Sequence, residues 1–213
     1  MPKGLFITFE GIDGSGKSTQ AKVLADRLRA GGHDVVLTRE PGGSSGAEEI
    51  RALVLQGDPD RWSAETEILL FTAARRDHLE KTIQPALDAG KIVICDRFAD
   101  STRLYQGISR GDLRGTVDKL HTLMIGREPD LTFVIDMNPA KGLARALSRQ
   151  TADERFEGFG EDLQQKMRTG FLDLAREYAD RCVVIDGDRS VDAVADEVDA
   201  IATARLAVAA RSA

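Results

Sequence analysis

Residues 11 to 18 read Gly11-Ile12-Asp13-Gly14-Ser15-Gly16-Lys17-Ser18, the pattern GxxxxGK[ST]. Its flanks are the ones its chemistry needs. The apolar, β-rich stretch Leu5-Phe6-Ile7-Thr8-Phe9 runs into it, and Ala21, Leu24, Ala25 and Leu28 follow at helical spacing. Strand, glycine loop and helix together cradle phosphate. Backbone N–H groups and the helix N-terminus meet the anion, Lys17 reaches the β/γ-phosphates, and Ser18 holds Mg²⁺. Residues Gly11, Ile12, Asp13, Gly14, Ser15, Gly16, Lys17, Ser18 and Thr19 are thus the expected triphosphate-binding loop. The bland alternative is a βα turn that is merely glycine-rich.

The elements that must position this loop are legible. Further apolar runs occur at Asp34–Thr38, Lys91–Cys95, Leu131–Ile135 and Cys182–Ile185, separated by helical patterns. Continuous apolar strands alternating with helices predict an α/β fold, a parallel sheet covered on both faces. Four of the five strands lead into an acidic residue: Glu10, Asp96, Asp136 and Asp186. Ligands of open α/β sheets lie beyond the carboxyl ends of the strands, so these side chains sit on the useful edge. Helices are expected from the loop to Gly31-Gly32, over Ala47–Leu55, over 64–89 with Pro85 as a possible bend, over 113–126, and from Val191 to at least Ile201. The tail from Ala207 is expected to fray.

Composition narrows the partners. The chain has 213 residues, 42% of them hydrophobic, and a net charge of -6, which suits one domain with a sizeable core and argues against a general nucleic-acid binder. No apolar stretch is long enough to span a membrane. Met1-Pro2-Lys3-Gly4 runs directly into the first strand, so no signal peptide is expected. Cys95 and Cys182 lie in or beside apolar strands with no CxxC or Cys/His cluster, so buried reduced thiols and a cytoplasmic protein are expected. His33, His78 and His121 offer no ligand spacing. Residues 141–160 differ from the rest, being charged, glycine-flanked and poor in large apolar side chains. Either a solvated surface segment or a lid carrying Arg145, Arg149 and Arg155 over the phosphates fits that pattern.

Further motifs follow in order: Thr38-Arg39-Glu40-Pro41-Gly42-Gly43, then Leu69-Leu70-Phe71-Thr72-Ala73-Ala74-Arg75, then Asp96-Arg97-Phe98, then Ser101-Thr102-Arg103-Leu104-Tyr105-Gln106-Gly107. With Phe9-Glu10-Gly11-Ile12-Asp13-Gly14 they make the chain, from about Leu5 to Val198, resemble a bacterial thymidylate kinase. The resemblance implies a P-loop NTPase fold with five parallel strands and a short lid at about 141–160, in one nucleoside monophosphate kinase domain over residues 1–213. It also implies ATP and Mg²⁺, dTMP as acceptor in dTTP biosynthesis, and a homodimer.

Roles carry over residue by residue. Phe71 and Arg75, four apart on one helical face, would stack on thymine and bond its carbonyl. Asp96 at its strand end would join Ser18 on the metal, and Arg97 would grip the acceptor phosphate. Arg39 or its loop would lie near that phosphate. Ser101, Thr102, Tyr105 and Gln106 would contact the acceptor, with Tyr105 set where a 2′-hydroxyl would project. Asp13 would meet the sugar 3′-hydroxyl. Some members carry a basic residue at the position of Gly14. Here glycine cannot supply that charge, which assigns it to the lid arginines, Arg149 first. The loop Asp186-Gly187-Asp188-Arg189 is expected beside adenine.

Other readings share part of this pattern. A kinase for adenylate, uridylate or guanylate would share the loop and lid but not the Phe71/Arg75 pair. A guanine-nucleotide switch would need an NKxD-type motif, which is not found; Asn138-Pro139-Ala140-Lys141 has the wrong order and position. A P-loop nucleic-acid enzyme conflicts with the charge.

Overall fold

The computed structural model describes residues 4–58, 61–108, 111–148 and 160–211. Five strands, β1 (Phe6–Glu10), β2 (Val35–Arg39), β3 (Ile92–Asp96), β4 (Leu131–Asp136) and β5 (Cys182–Asp186), form one parallel sheet in the order β2-β3-β1-β4-β5. β1 lies at the centre, paired with β3 on one side and β4 on the other. Phe9 stands opposite both Asp96 and Phe133, so the exit of β1 into the glycine loop is level with the end of β3.

Alternation along the strands divides the core. Ile7, Phe9, Ile94, Phe133 and Ile135 pack with Leu24 and Leu28 of α1 (Lys17–Ala30) and with Val194 and Val198 of α9 (Val191–Arg211). Phe6, Val93 and Cys95 point the other way, toward Leu79, Ile83, Leu87 and Phe98. Val134 on that second face meets Leu104 of α5 (Ala99–Tyr105) and Met167, Phe171 and Leu174 of α8 (Gly160–Glu177). Helices therefore cover both faces, as the continuous apolar strands require. The remaining helices are α2 (Ser45–Leu55), α3 (Ala64–His78), α4 (Gln84–Asp88), α6 (Arg114–Met124) and α7 (Pro139–Leu147).

One expectation is refined and one corrected. The 64–89 region is not one regular helix: α3 passes into a π-helical turn at Leu79–Ile83, where the Gln84 N–H bonds the Leu79 carbonyl, and α4 follows with Pro85 in its first turn. The alanine-rich tail does not fray at Ala207; α9 continues to Arg211, with Leu206 and Ala209 packed on the core. Alanine's helix propensity and this half-buried stripe outweigh the weak apolar pattern. On α5, buried Asp100 takes both terminal nitrogens of Arg181 at 2.8 and 2.9 Å and Arg103 at 2.7 Å, and Arg181 also donates to Thr132 of β4, tying that helix to the sheet. Cys95 and Cys182 are free and buried, as expected.

Candidate active site

A cleft of about 380 Å³ opens at the carboxyl edge of the sheet. Its floor is the glycine loop, with Asp13, Gly14, Lys17 and Ser18, and its walls come from the ends of β2 and β3 and from α3 and α5. The loop is backbone-limited. Gly14 has φ 74°, and a Cβ there would fall 2.0 Å from the Gly142 carbonyl oxygen on α7. α7 in turn brings Gly142 so close that a Cβ on it would fall 2.8 Å from the Asp13 oxygen. Two apposed glycines let backbone touch backbone. A side chain at position 14 is sterically excluded, basic or not, a second reason for the glycine.

Lys17 is buried and donates to the Ile12 carbonyl at 2.7 Å. Burial first, and Arg97 next, press its ammonium down to about 8, against the upward pull of Asp13, Asp96 and Glu10. Ser18 Oγ donates to Asp96 Oδ2 across the β1–β3 boundary. Asp96 Oδ1 is buried with no hydrogen-bond partner among the described residues, and so is Ser15 Oγ. A hydroxyl beside a carboxylate with an unused oxygen is a hard, oxygen-only donor pair, and it fits Mg²⁺, which takes one or two protein oxygens and keeps waters.

Arg97 is the one non-glycine residue at positive φ, 68°, among those described. Its guanidinium pairs with Asp13, donates to Ser101 Oγ at 2.9 Å and lies 5.2 Å from the Tyr105 ring centre. Tyr105 Oη donates to Asp13 Oδ2 at 3.2 Å and Gln164 Nε2 reaches the same oxygen at 3.5 Å. Burial alone would raise the Asp13 carboxyl, but Arg97 and Lys17 together hold it below the usual range.

On the opposite wall, Phe71 and Arg75 of α3 both line the cleft. Arg75 donates from Nε to Glu40 Oε2 at 2.7 Å and from a terminal nitrogen to Thr102 Oγ1 at 3.0 Å. Glu40 Oε1 lies 3.1 Å from His78 Nδ1, whose Nε2 is 2.7 Å from Thr38 Oγ1. The Glu40–Pro41 bond between these walls is cis. Arg76 turns away, to Glu80 and the Met124 carbonyl. Arg39 lines the cleft but is exposed and pairs with Glu48. Gln106 is buried and also lines it.

A second cleft of about 240 Å³ meets the first at Gly14. Gly16, Thr19, Arg145, Gly187 and Arg189 line it. The residues expected at the loop, the acceptor wall and the post-β5 turn are thus brought together, and Arg145 joins them. Arg149 and Arg155, with most of 141–160, lie outside the described residues. Sequence reasoning missed the Glu40–His78 pair, the buried Gln164 and the pairing of Arg168 with Asp136 at 2.7 and 2.8 Å. Glu40 stood at a strand end and could have been flagged; the other partners come from distant helices with no local pattern.

The model of the thymidylate kinase family matches residues 9–198. The chain belongs to the thymidylate kinase family. A thymidylate kinase of Ruegeria pomeroyi is 74% identical over 203 residues, covering 95% of this chain and 96% of that protein. One from Dinoroseobacter shibae is 67% identical over 195 residues, covering 92% and 94%. Among solved structures, the thymidylate kinase of Ehrlichia chaffeensis superposes with a TM-score of 0.75 at 39% identity, covering 94% of this chain and 99% of that one. The family thus spans the loop, both walls and the sheet that carries them.

Lys17 keeps its charge below about pH 8 and loses it above. The ligand-free protein is therefore expected to bind a nucleoside triphosphate more weakly as pH rises through that value. Titration with a fluorescent ATP analogue from about pH 6.5 to about pH 9.5 checks it, and constant affinity across that range would contradict it.

Proposed function

We propose that the protein transfers the γ-phosphoryl group of ATP to dTMP, giving ADP and dTDP for dTTP synthesis. The observation that carries this is the junction at Gly14. One cleft combines the phosphate-loop lysine with Arg97 and an aromatic–arginine wall, and the other opens on the far side of the same loop. Two nucleotides can then meet phosphate to phosphate.

Lys17 and the loop N–H groups neutralise the donor phosphates. Arg97 and Ser101 orient the acceptor phosphate, and Arg39 adds charge at its rim. An oxygen of that phosphate, already anionic, forms the new bond to the γ-phosphorus. The bond to the β,γ-bridging oxygen breaks, and its electron pair leaves with ADP. No side chain need act as base. Ser18 and Asp96 would hold Mg²⁺, which when bound neutralises phosphate charge. Phe71 stacks on the base, Arg75 donates to its carbonyl, Thr102 and Gln106 complete that edge, and Tyr105 excludes a 2′-hydroxyl. Asp13 meets the 3′-hydroxyl. Gly187 and Arg189 lie on the adenine side. Because position 14 has no room for a side chain, the charge on the transferring group is assigned to the 141–160 arginines, Arg149 ahead of Arg145 and Arg155.

A coupled ADP-release assay across the monophosphates at fixed ATP is expected to show dTMP as the preferred acceptor. Faster turnover of AMP, UMP or GMP would overturn the reading. R149A is expected to lower kcat by about 10³-fold with much smaller changes in either KM. A near-normal kcat removes Arg149 from the mechanism.

The whole chain is read as one kinase domain working in the cytoplasm, where its buried thiols stay reduced. It is also read as a homodimer. Leu69 on α3 and Leu123 and Met124 on the neighbouring α6 are 58%, 79% and 42% exposed, large apolar side chains left in solvent on two touching helices. Sedimentation equilibrium is expected to give twice the chain mass; a monomer at micromolar concentration would contradict it.

A further inference from the structure

We propose that Glu10 is the positioning residue of the acceptor-phosphate grip, holding Arg97 in place from the end of the central strand. This rests on the reading of Arg97 and Ser101 as acceptor contacts. Glu10 is fully buried and is not among the residues lining the cleft. Its carboxylate nevertheless takes three hydrogen bonds from the segment that builds the grip. They come from the Phe98 N–H at 2.8 Å, the Ser101 N–H at 3.2 Å and Ser101 Oγ at 2.6 Å.

Two features of that segment need such a partner. Arg97 sits at φ 68°, a conformation that an arginine adopts only when its surroundings over-determine it. The Arg97 N–H bonds to the Phe9 carbonyl at 2.9 Å, and Glu10 fixes the next amide along, so β1 holds the turn at two consecutive residues. The Ser101 hydroxyl then acts as a relay. It donates to Glu10 and accepts from Arg97 Nη1 at 2.9 Å, so the same carboxylate sets both the backbone turn and the guanidinium. Asp100 cannot substitute, because Arg181 and Arg103 already occupy it. Among the described residues the carboxylate has no cation as a direct hydrogen-bond partner, an expensive arrangement in a core, which suits a positional role better than a stabilising one.

Steady-state kinetics of E10Q, which keeps the shape and loses one acceptor, test this. The KM for dTMP is expected to rise about tenfold or more while the KM for ATP stays within about twofold. S101A should give the same split. E10Q/S101A should be no worse than the poorer single variant, since both break one relay. Equal shifts in the two KM values, an unchanged dTMP KM, or single effects that multiply in the double variant would overturn the proposal. A purely structural Glu10 would lower the melting temperature and leave the KM ratio alone. If E10Q does not fold, E10D, with the carboxylate withdrawn by one methylene, must show the split, and equal KM shifts there count against it. A wild-type protein that does not phosphorylate dTMP would instead defeat the acceptor reading itself.

Discussion

The ion pair between Asp13 and Arg97 ties the glycine loop to the turn that follows β3. A phosphate-transfer cleft must gather cations before any phosphate arrives, and like charges so gathered repel one another. Here three of the arginines that line it are each held by a carboxylate, Arg97 by Asp13, Arg75 by Glu40 and Arg39 by Glu48, while Lys17 donates to the Ile12 carbonyl. The carboxylates come from strand ends or the loops and helix just beyond, so the parallel sheet sets the charge pattern as well as the walls. Because Asp13 belongs to the glycine loop, a change in how that loop is filled reaches Arg97 through a direct bond.

Backbone proximity is the second constraint. α7 approaches the loop so closely that both facing positions must be glycine. The segment following α7 carries Arg149 and Arg155, so the helix that rests on the phosphate loop leads straight into the residues assigned to the transferring group. Helix α8 closes the arrangement from the other end, with Gln164 on Asp13 and Arg168 on Asp136.

The fold was legible because its signals are local. Each strand is a short apolar run, the loop motif sits between the first strand and a helix of matching period, and the order of the motifs carried the family. Phe71, Arg75, Arg97, Ser101 and Tyr105 all came to one cleft as expected. What escaped was tertiary. Nothing in sequence spacing links Glu40 to His78, 38 residues apart, or Gly14 to Gly142. The α9 extension escaped because alanines give little periodic contrast, and Arg149 and Arg155 fall outside the described residues.

The π-helical turn at Leu79–Ile83 gives the long helix two different aims. Upstream of it, Phe71 and Arg75 face the cleft; downstream, Leu87 faces the sheet alongside Leu79 and Ile83. A wide turn holds one residue more than regular winding, a phase offset of about 100°. Removing a single residue there would return the helix to one continuous phase. It would force a choice between aiming the cleft-facing half and seating the half that packs on the sheet. The turn thus works as an angular spacer, setting the cleft-facing half and the sheet-packed half of one helix to different directions.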